Sequence, residues 1–233
     1  MPLDLGAKGS CMIGGNLATN AGGIHFIKFN SMHANCVGLK AVMANGTILD
    51  NMTTLRKDNT GYDLKHLFIG SEGTLGVITE CAMLCPPMAT SKNLAVLAVS
   101  SYEGCQRILC LAKKQLGDIL QAVEFMDEAS MEVVQEKLAV QNPFHENHPY
   151  YIHVEVAESS SNDEDDSASG LDRLMSFLED VDEEDVIDGV VAQDEKQFES
   201  LWALRERIGT ATVAYGYVSK LYQIFSQLIL PMY

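Results

Sequence analysis

Positive charge is what this sequence has least of. Its 233 residues carry 16 lysines and arginines against 32 aspartates and glutamates, a formal net charge of −16. A chain this negative repels phosphate backbones, which argues against a nucleic-acid partner. The imbalance is local: residues 1–150 hold 11 basic and 14 acidic side chains, net −3, and residues 151–233 hold 5 and 18, net −13. Much of the excess falls in Glu158–Asp166 and Glu179–Asp188, which read as a solvated loop and a polar helix end. Long hydrophobic runs are also lacking. Leu94–Val99 and Leu228–Leu230 fall far short of the ~20 residues of a bilayer span, and Met1–Cys11 has neither the basic nor the apolar region of a secretory signal. The expectation is a soluble globular chain with no membrane span. The six cysteines (Cys11, Cys36, Cys81, Cys85, Cys105, Cys110) show no paired Cys-x-x-Cys spacing, so reduced thiols are expected rather than a disulfide framework or a metal site. Neither the G-x-G-x-x-G dinucleotide fingerprint nor the G-x-x-x-x-G-K phosphate loop occurs.

Proline is scarce, six in all, and its one adjacent pair, Pro86-Pro87, separates two kinds of sequence. Before it lie glycine-rich loops and short β-type runs. Val37–Met43 and Thr47–Leu49 flank Asn45-Gly46, which predicts a hairpin with a tight turn of positive φ, and Leu75–Leu84 predicts a further strand. After it, strands are expected at Leu94–Val99, Ala122–Met126, Tyr151–Val156 and Val186–Val191. Between them run helical stripes: Ile108, Leu111, Ala112, Leu116; then Met131, Val134, Leu138; then Leu171, Leu174, Met175, Leu178; and a last helix near Asp194–Ala214. This alternation predicts an α+β domain with helices on one face of a mainly antiparallel sheet, a parallel α/β sheet being the competing arrangement.

The densest chemistry lies in residues 9–23, GSCMIGGNLATNAGG, with five glycines. Glycine gives up chain entropy on ordering, so such a run belongs where backbone passes close to a ligand or takes positive φ. Amides of consecutive small residues form concavities for anionic groups, and Thr19 and Asn20 add polar side chains. The alternative is a string of tight turns in a β-rich domain. A second glycine cluster, Gly70–Thr79 (GSEGTLGVIT), follows Arg56–Leu64 (RKDNTGYDL) and runs into the expected strand. His25 and His33 read as surface or structural residues. His145, His148 and His153 have a spacing that permits a metal but names no fourth ligand.

In this order, GGNLATNAGG, KDNTGYDL and GSEGTLGVIT resemble the second half of the PCMH-type FAD-binding domain of vanillyl-alcohol-oxidase type flavoproteins, and within them the D-2-hydroxyglutarate dehydrogenase branch; the resemblance runs from about Pro2 to Lys220. It implies a partial FAD-binding domain at 1–87, a partial α+β substrate domain at 88–220 and a divergent tail at 221–233. It further implies that Ser10, Gly14, Gly15, Asn16, Thr19, Asn20, Ala21 and Gly22 line the isoalloxazine and pyrophosphate of FAD, and that Gly73, Val77 and Ile78 lie along its adenosine side. Leu201–Ile208 (LWALRERI) resembles the family's substrate helix, so Arg205 would grip a carboxylate through two parallel hydrogen bonds, and Lys220 matches a second substrate-side cation. Without the resemblance, Arg205 and Arg207 read as solvent-facing helix charges.

One departure is Gly209, where the family has threonine, with Thr210 beside it; another is the apolar stretch after Lys220, which does not resemble the family. The earlier FAD subdomain, the metal-ligand histidines for a divalent ion such as zinc and the catalytic base are expected to fall outside this sequence, so no catalytic or metal-binding residue is assigned. The activity implied for the intact family is hydride transfer from the α-carbon of (R)-2-hydroxyglutarate to FAD, giving 2-oxoglutarate, in mitochondria, with an electron-transfer flavoprotein as acceptor; this chain itself is expected to be an inactive or partial form. D-lactate or glycolate dehydrogenase is the alternative. So is a non-catalytic fragment that associates with a full-length relative.

Overall fold

The computed structural model describes residues 3–5, 9–159 and 168–214, and the chain divides into two units, Met1–Met88 and Ala89–Tyr233.

In the first unit a short helix α1 (Ile13–Ala18) is followed by the single turns α2 (Phe26–Phe29) and α3 (Met32–Asn35), strands β1 (Cys36–Met43) and β2 (Ile48–Asn51), the turn α4 (Lys65–Phe68) and strand β3 (Gly76–Met83). The strands form an antiparallel sheet in the order β2-β1-β3. Alternation along β1 sends Leu39 and Ala41 into a core with Leu3, Leu17, Met32 and Phe68. Lys40, on the opposite face, reaches Asp50 at 3.3 Å and Glu80 at 3.0 Å on the flanking strands. The Asn45-Gly46 hairpin is present, but only Gly46 is left-handed, at φ +82°. Met43 N–H donates to Thr47 O and Gly46 N–H to Met43 O, a three-residue loop closing on a left-handed glycine instead of the two-residue turn expected. Gly46→Ala places a Cβ on that φ and is expected to cost about 1 kcal/mol, measured by urea unfolding.

In the second unit the order is β4 (Ser91–Val99), α5 (Tyr102–Leu116), β5 (Leu120–Asp127), α6 (Glu128–Leu138), β6 (Tyr150–Glu158), α7 (Gly170–Glu179), β7 (Val186–Val191), α8 (Glu195–Glu206) and α9 (Ile208–Ala214). The four strands pair antiparallel throughout, in the order β5-β6-β4-β7. The sheet is therefore antiparallel rather than parallel. Side-chain oxygens open four of the helices: Ser101, Asp127, Ser169 and Asp194 accept from the backbone of their first turns, and Ser169 and Asp172 complete a capping box.

Helices α5 and α7 cover the face that carries Leu97, Val99 and Ile152, since Gly104 of α5 abuts Val99 and Gly170 of α7 abuts Glu158. Helix α8 extends the expected arrangement by lying on the other face, against His153 and Glu155. With both faces covered, β4 is buried from Leu94 to Val99.

Three local expectations are corrected. Helix α7 buries Leu174 and Phe177 and leaves Leu171 and Met175 exposed, because the aromatic ring, absent from the expected stripe, sets which side faces the sheet. The helix near Asp194–Ala214 is two helices, with Arg207 capping α8 and Gly209, a poor helix former, in the first turn of α9. Asp185, within the acidic stretch read as solvated, is buried and accepts from Arg107 Nε at 2.7 Å and from its Nη2. The guanidinium beside it holds its carboxyl below the usual carboxylate range. All six cysteines are free thiols: Cys36 and Cys105 are buried, Cys85 and Cys110 exposed. Burial pushes the Cys36 thiol up to about 11 and that of Cys105 to about 12. No described helix is long and apolar enough to cross a membrane.

Candidate functional site

The glycine run of the first unit is neither a plain loop nor a string of turns. Ile13–Ala18 is helical, so part of its backbone is engaged internally: Asn16 N–H donates to Met12 O, Thr19 N–H to Gly15 O and Ala21 N–H to Asn16 O. Thr19 Oγ1 also donates to Gly15 O at 3.0 Å. Asn20 takes φ +49°, and its Oδ1 accepts from His33 N–H at 2.9 Å, which pins the end of the run to α3. Ala21 O accepts from Met32 N–H.

The second glycine cluster lies against the first. Gly70 N–H donates to Leu17 O at 3.0 Å and Glu72 N–H to Ala18 O at 2.9 Å, and a Cβ built on Gly14 would lie 3.8 Å from Ile78 O. The structure thus brings together Gly14, Asn20 and Ile78 with the Gly70–Gly73 turn. Val77, next to Ile78 on β3, is 67% exposed. Ser10, Gly15, Thr19, Gly22 and Gly73 are exposed; Gly14, Asn16, Asn20 and Ala21 are half-buried.

The glycines divide by what surrounds them. Gly15 and Gly73 have open space where a Cβ would stand, and Gly73 is left-handed at φ +80°. At Gly23 a Cβ would lie 1.8 Å from Leu3 O, so there the close approach is to the chain's own backbone. A flat, polar-edged cofactor fits the open backbone at Gly15 and Gly73 and the polar Asn16 and Asn20 beside it.

Beside this region is a groove of about 470 Å³ whose polar lining includes His33, Arg56, Asp58, Asp63, Lys65 and His66. The His33 and His66 rings meet edge-on with centroids 3.7 Å apart, and His66 Nε2 lies 3.1 Å from Asp63 Oδ2. Burial first, then the neighbouring His33, lowers the His66 pKa. Among the described residues no group of three or more His, Cys, Asp or Glu side chains is arranged to hold a metal ion.

In the second unit Arg205 is half-buried and paired: its Nη2 lies 2.8 Å from Glu124 Oε2 on β5, with Glu124 7% and Arg205 29% exposed. Arg205 Nε is buried without a hydrogen-bond partner. Burial raises the Glu124 pKa, against the opposing pull of Arg205. The cross-strand neighbour of Glu124 is His153 on β6. His153 is fully buried, bonded through Nε2 to Leu201 O at 3.1 Å and stacked on Trp202 at a centroid distance of 5.3 Å. Burial drives its pKa down to about 4. Trp202 Nε1 donates to buried Glu155 Oε2 at 2.8 Å.

Arg205 is therefore not the solvent-facing charge of the alternative reading. It belongs to a buried polar layer with Glu124, His153, Glu155 and Trp202. The sequence held a signal for this layer: Glu124 interrupts an apolar strand, and His153 and Glu155 sit at period two in another, where buried polar groups need partners. Gly209 lies in α9 with open space where a Cβ would stand, and Thr210 is exposed. Lys220 and the tail 221–233 lie outside the described residues.

Comparison with known proteins gives matches over most of the chain. Residues 88–223 match the family model described as FAD linked oxidases, C-terminal domain, and residues 1–51 match that described as FAD binding domain. The chain is 49% identical over 222 residues to the mitochondrial D-2-hydroxyglutarate dehydrogenase of Arabidopsis thaliana, covering 94% of this chain and 39% of that protein. Against the rat enzyme of the same name it is 48% identical, covering 94% and 40%. It is also 44% identical to a Schizosaccharomyces pombe protein provisionally named as a mitochondrial D-lactate dehydrogenase, covering 99% and 43%. The chain thus spans about two fifths of the length of these relatives. A solved structure of alkyldihydroxyacetonephosphate synthase superposes with a TM-score of 0.61 at 17% identity, covering 92% of this chain and 40% of that one, a likeness of fold.

Proposed function

The chain belongs to the family of FAD linked oxidases, C-terminal domain, and on that premise we propose that it handles flavin and carboxylate in the oxidation of (R)-2-hydroxyglutarate to 2-oxoglutarate. The observation that carries the reading is the meeting of the two glycine clusters, joined by the Gly70–Leu17 and Glu72–Ala18 backbone bonds with open backbone at Gly15 and Gly73. FAD, when bound, accepts the two electrons that leave the substrate's α-carbon.

This chain's own residues bind and orient. Ser10, Gly14, Gly15, Asn16, Thr19, Asn20, Ala21 and Gly22 hold the isoalloxazine and pyrophosphate, with Gly73, Val77 and Ile78 along the adenosine side. Arg205 and Lys220 hold the substrate's carboxylates. The partial exposure of the Arg205 side chain, 29%, supports this role. A divalent metal such as zinc enters the reading only as a group held by side chains other than those described. The names of the relatives support a mitochondrial setting; the matrix, and an electron-transfer flavoprotein as acceptor, complete the proposal.

The test is optical. The full chain, purified with added FAD and desalted, is expected to stay yellow, and the flavin band is expected to shift at a lower concentration of D-2-hydroxyglutarate than of D-lactate. Retained flavin whose band responds first to D-lactate supports the D-lactate reading, which the S. pombe relative favours. A colourless chain overturns flavin binding by this polypeptide.

A further inference from the structure

Glu124 and Arg205 face each other as a half-buried ion pair, 2.8 Å apart. The Glu124 carboxylate is 7% exposed, while the Arg205 side chain keeps 29% exposure and its Nε is buried without a hydrogen-bond partner, so the guanidinium has donor capacity that Glu124 does not use. A ligand carboxylate taken up at Arg205, the role proposed above and the one on which this inference rests, would put a second negative group on the same cation. Two carboxylates and one guanidinium in a half-buried site leave one uncompensated negative charge, and low-dielectric surroundings relieve that by binding a proton. The more deeply buried carboxylate is the one least stabilised by water.

We propose that Glu124 is the proton acceptor coupled to this carboxylate site: a ligand carboxylate that engages Arg205 drives a solvent proton onto Glu124. No bond other than the carboxyl O–H forms, and the guanidinium keeps its charge. Glu124 then stays hydrogen-bonded to Arg205 as a neutral acid, so it also positions the guanidinium.

The neighbours of Glu124 leave few rivals for that proton. On the same sheet face β6 offers Tyr151, whose hydroxyl accepts from His148 N–H and whose pKa burial raises, together with His153 and Glu155, and β4 offers Leu94, Val96 and Ala98 opposite them. From α8 comes Arg205. Helix α6, packed on β5, carries Glu128, Glu132 and Glu136, all exposed, and half-buried Lys137. Glu155 already accepts from Trp202. His153 is the one competitor, with Nδ1 buried and unpartnered. The upward displacement of the Glu124 pKa by burial agrees with its assignment.

The sign follows. Ligand binding raises the Glu124 pKa further, so between its value in the free chain and its value in the complex only the complex carries the proton. Affinity therefore rises as pH falls through that window, by up to roughly tenfold per pH unit. The test uses glutarate, a redox-inert dicarboxylate, titrated calorimetrically into the full chain at a series of pH values, each in two buffers of different ionisation enthalpy. The expected result is uptake of roughly 0.5–1 proton per glutarate, with Glu124→Gln binding more tightly, without uptake and without pH dependence.

Arg205-dependent binding with no proton uptake overturns the proposal, as does uptake that persists in Glu124→Gln and vanishes in His153→Phe. Equal binding by the wild type and Arg205→Gln instead overturns the carboxylate role of Arg205. Binding by Glu124→Gln alone overturns the coupled protonation, since Glu124 then stays charged and excludes the ligand; binding by neither overturns both. The wild-type proton count decides the matter even if Glu124→Gln does not fold.

Discussion

Arg205→Met is expected to destabilise the second unit by about 3–5 kcal/mol at neutral pH, the usual cost of breaking a buried ion pair from one side. The reason is what remains behind. Glu124, 7% exposed, loses the guanidinium that offsets its desolvation and must stay charged without a partner or take up a proton. The penalty should therefore shrink as pH falls, because a protonated Glu124 no longer needs a cation. Urea unfolding followed through Trp202, the single tryptophan of the chain, measures the loss. The double variant Glu124→Leu, Arg205→Met should recover most of it, since an apolar pair of similar volume is often as stable as the ion pair it replaces. A cost below about 1 kcal/mol, the range of exposed pairs, would show that the pair is solvated in solution.

The second large effect is acid lability centred on His153. Its folded pKa is pushed down to about 4 from the ordinary 6.5. Well above 6.5 both states are uncharged there and the group contributes no pH dependence. Between 6.5 and about 4 only the unfolded chain takes the proton, so stability declines as pH falls. By pH 4 the loss approaches roughly 3 kcal/mol. Glu124 acts oppositely, since its raised folded pKa adds stability once the pH falls to it. The measurement is consequently the difference between wild type and His153→Phe, which keeps an aromatic ring against Trp202. The wild type should lose stability more steeply than the variant between pH 6.5 and 4, and equal slopes would refute the assignment of the acid limb to His153.

Much of the architecture was legible because it rests on periodicity. The short apolar runs at Leu94–Val99, Ala122–Met126, Tyr151–Val156 and Val186–Val191 became β4 to β7 within a few residues, since an apolar run of strand length between helical stripes marks backbone that must leave water. What failed was local. In α7 the stripe drawn through Leu171, Leu174, Met175 and Leu178 placed Leu174 correctly, but Phe177 went in where Leu171 and Met175 were expected, because an aromatic ring removes more apolar area from water than an aliphatic side chain does. In the glycine run the reading of small residues as open loop missed α1, since composition marks where backbone is permitted to bend and not where its amides close a helical turn.

The polar layer was the least legible part. Arg205 was singled out by resemblance, whereas Glu124, His153 and Glu155 lie 50 or more residues away along the chain and meet it only through sheet register. Hydrogen-bond satisfaction across a sheet is a three-dimensional condition, and a single strand shows just the question, a charge where an apolar residue belongs. The acidic stretch holding Asp185 gives the same lesson: a run of carboxylates reads as solvated, yet one of them is the buried partner of Arg107, 78 residues earlier.

The free thiols carry a practical consequence. Cys85 belongs to the first unit and Cys110 to the second, and both face water, whereas the Cys36 and Cys105 thiols are enclosed and held largely protonated. Maleimide reagents attack thiolates they can reach, so once half-buried Cys11 and Cys81 are replaced by serine, a donor and an acceptor dye can be placed one on each body of the native chain. Energy transfer between them would report the separation of the two bodies, and any hinge motion that a carboxylate or flavin ligand sets off.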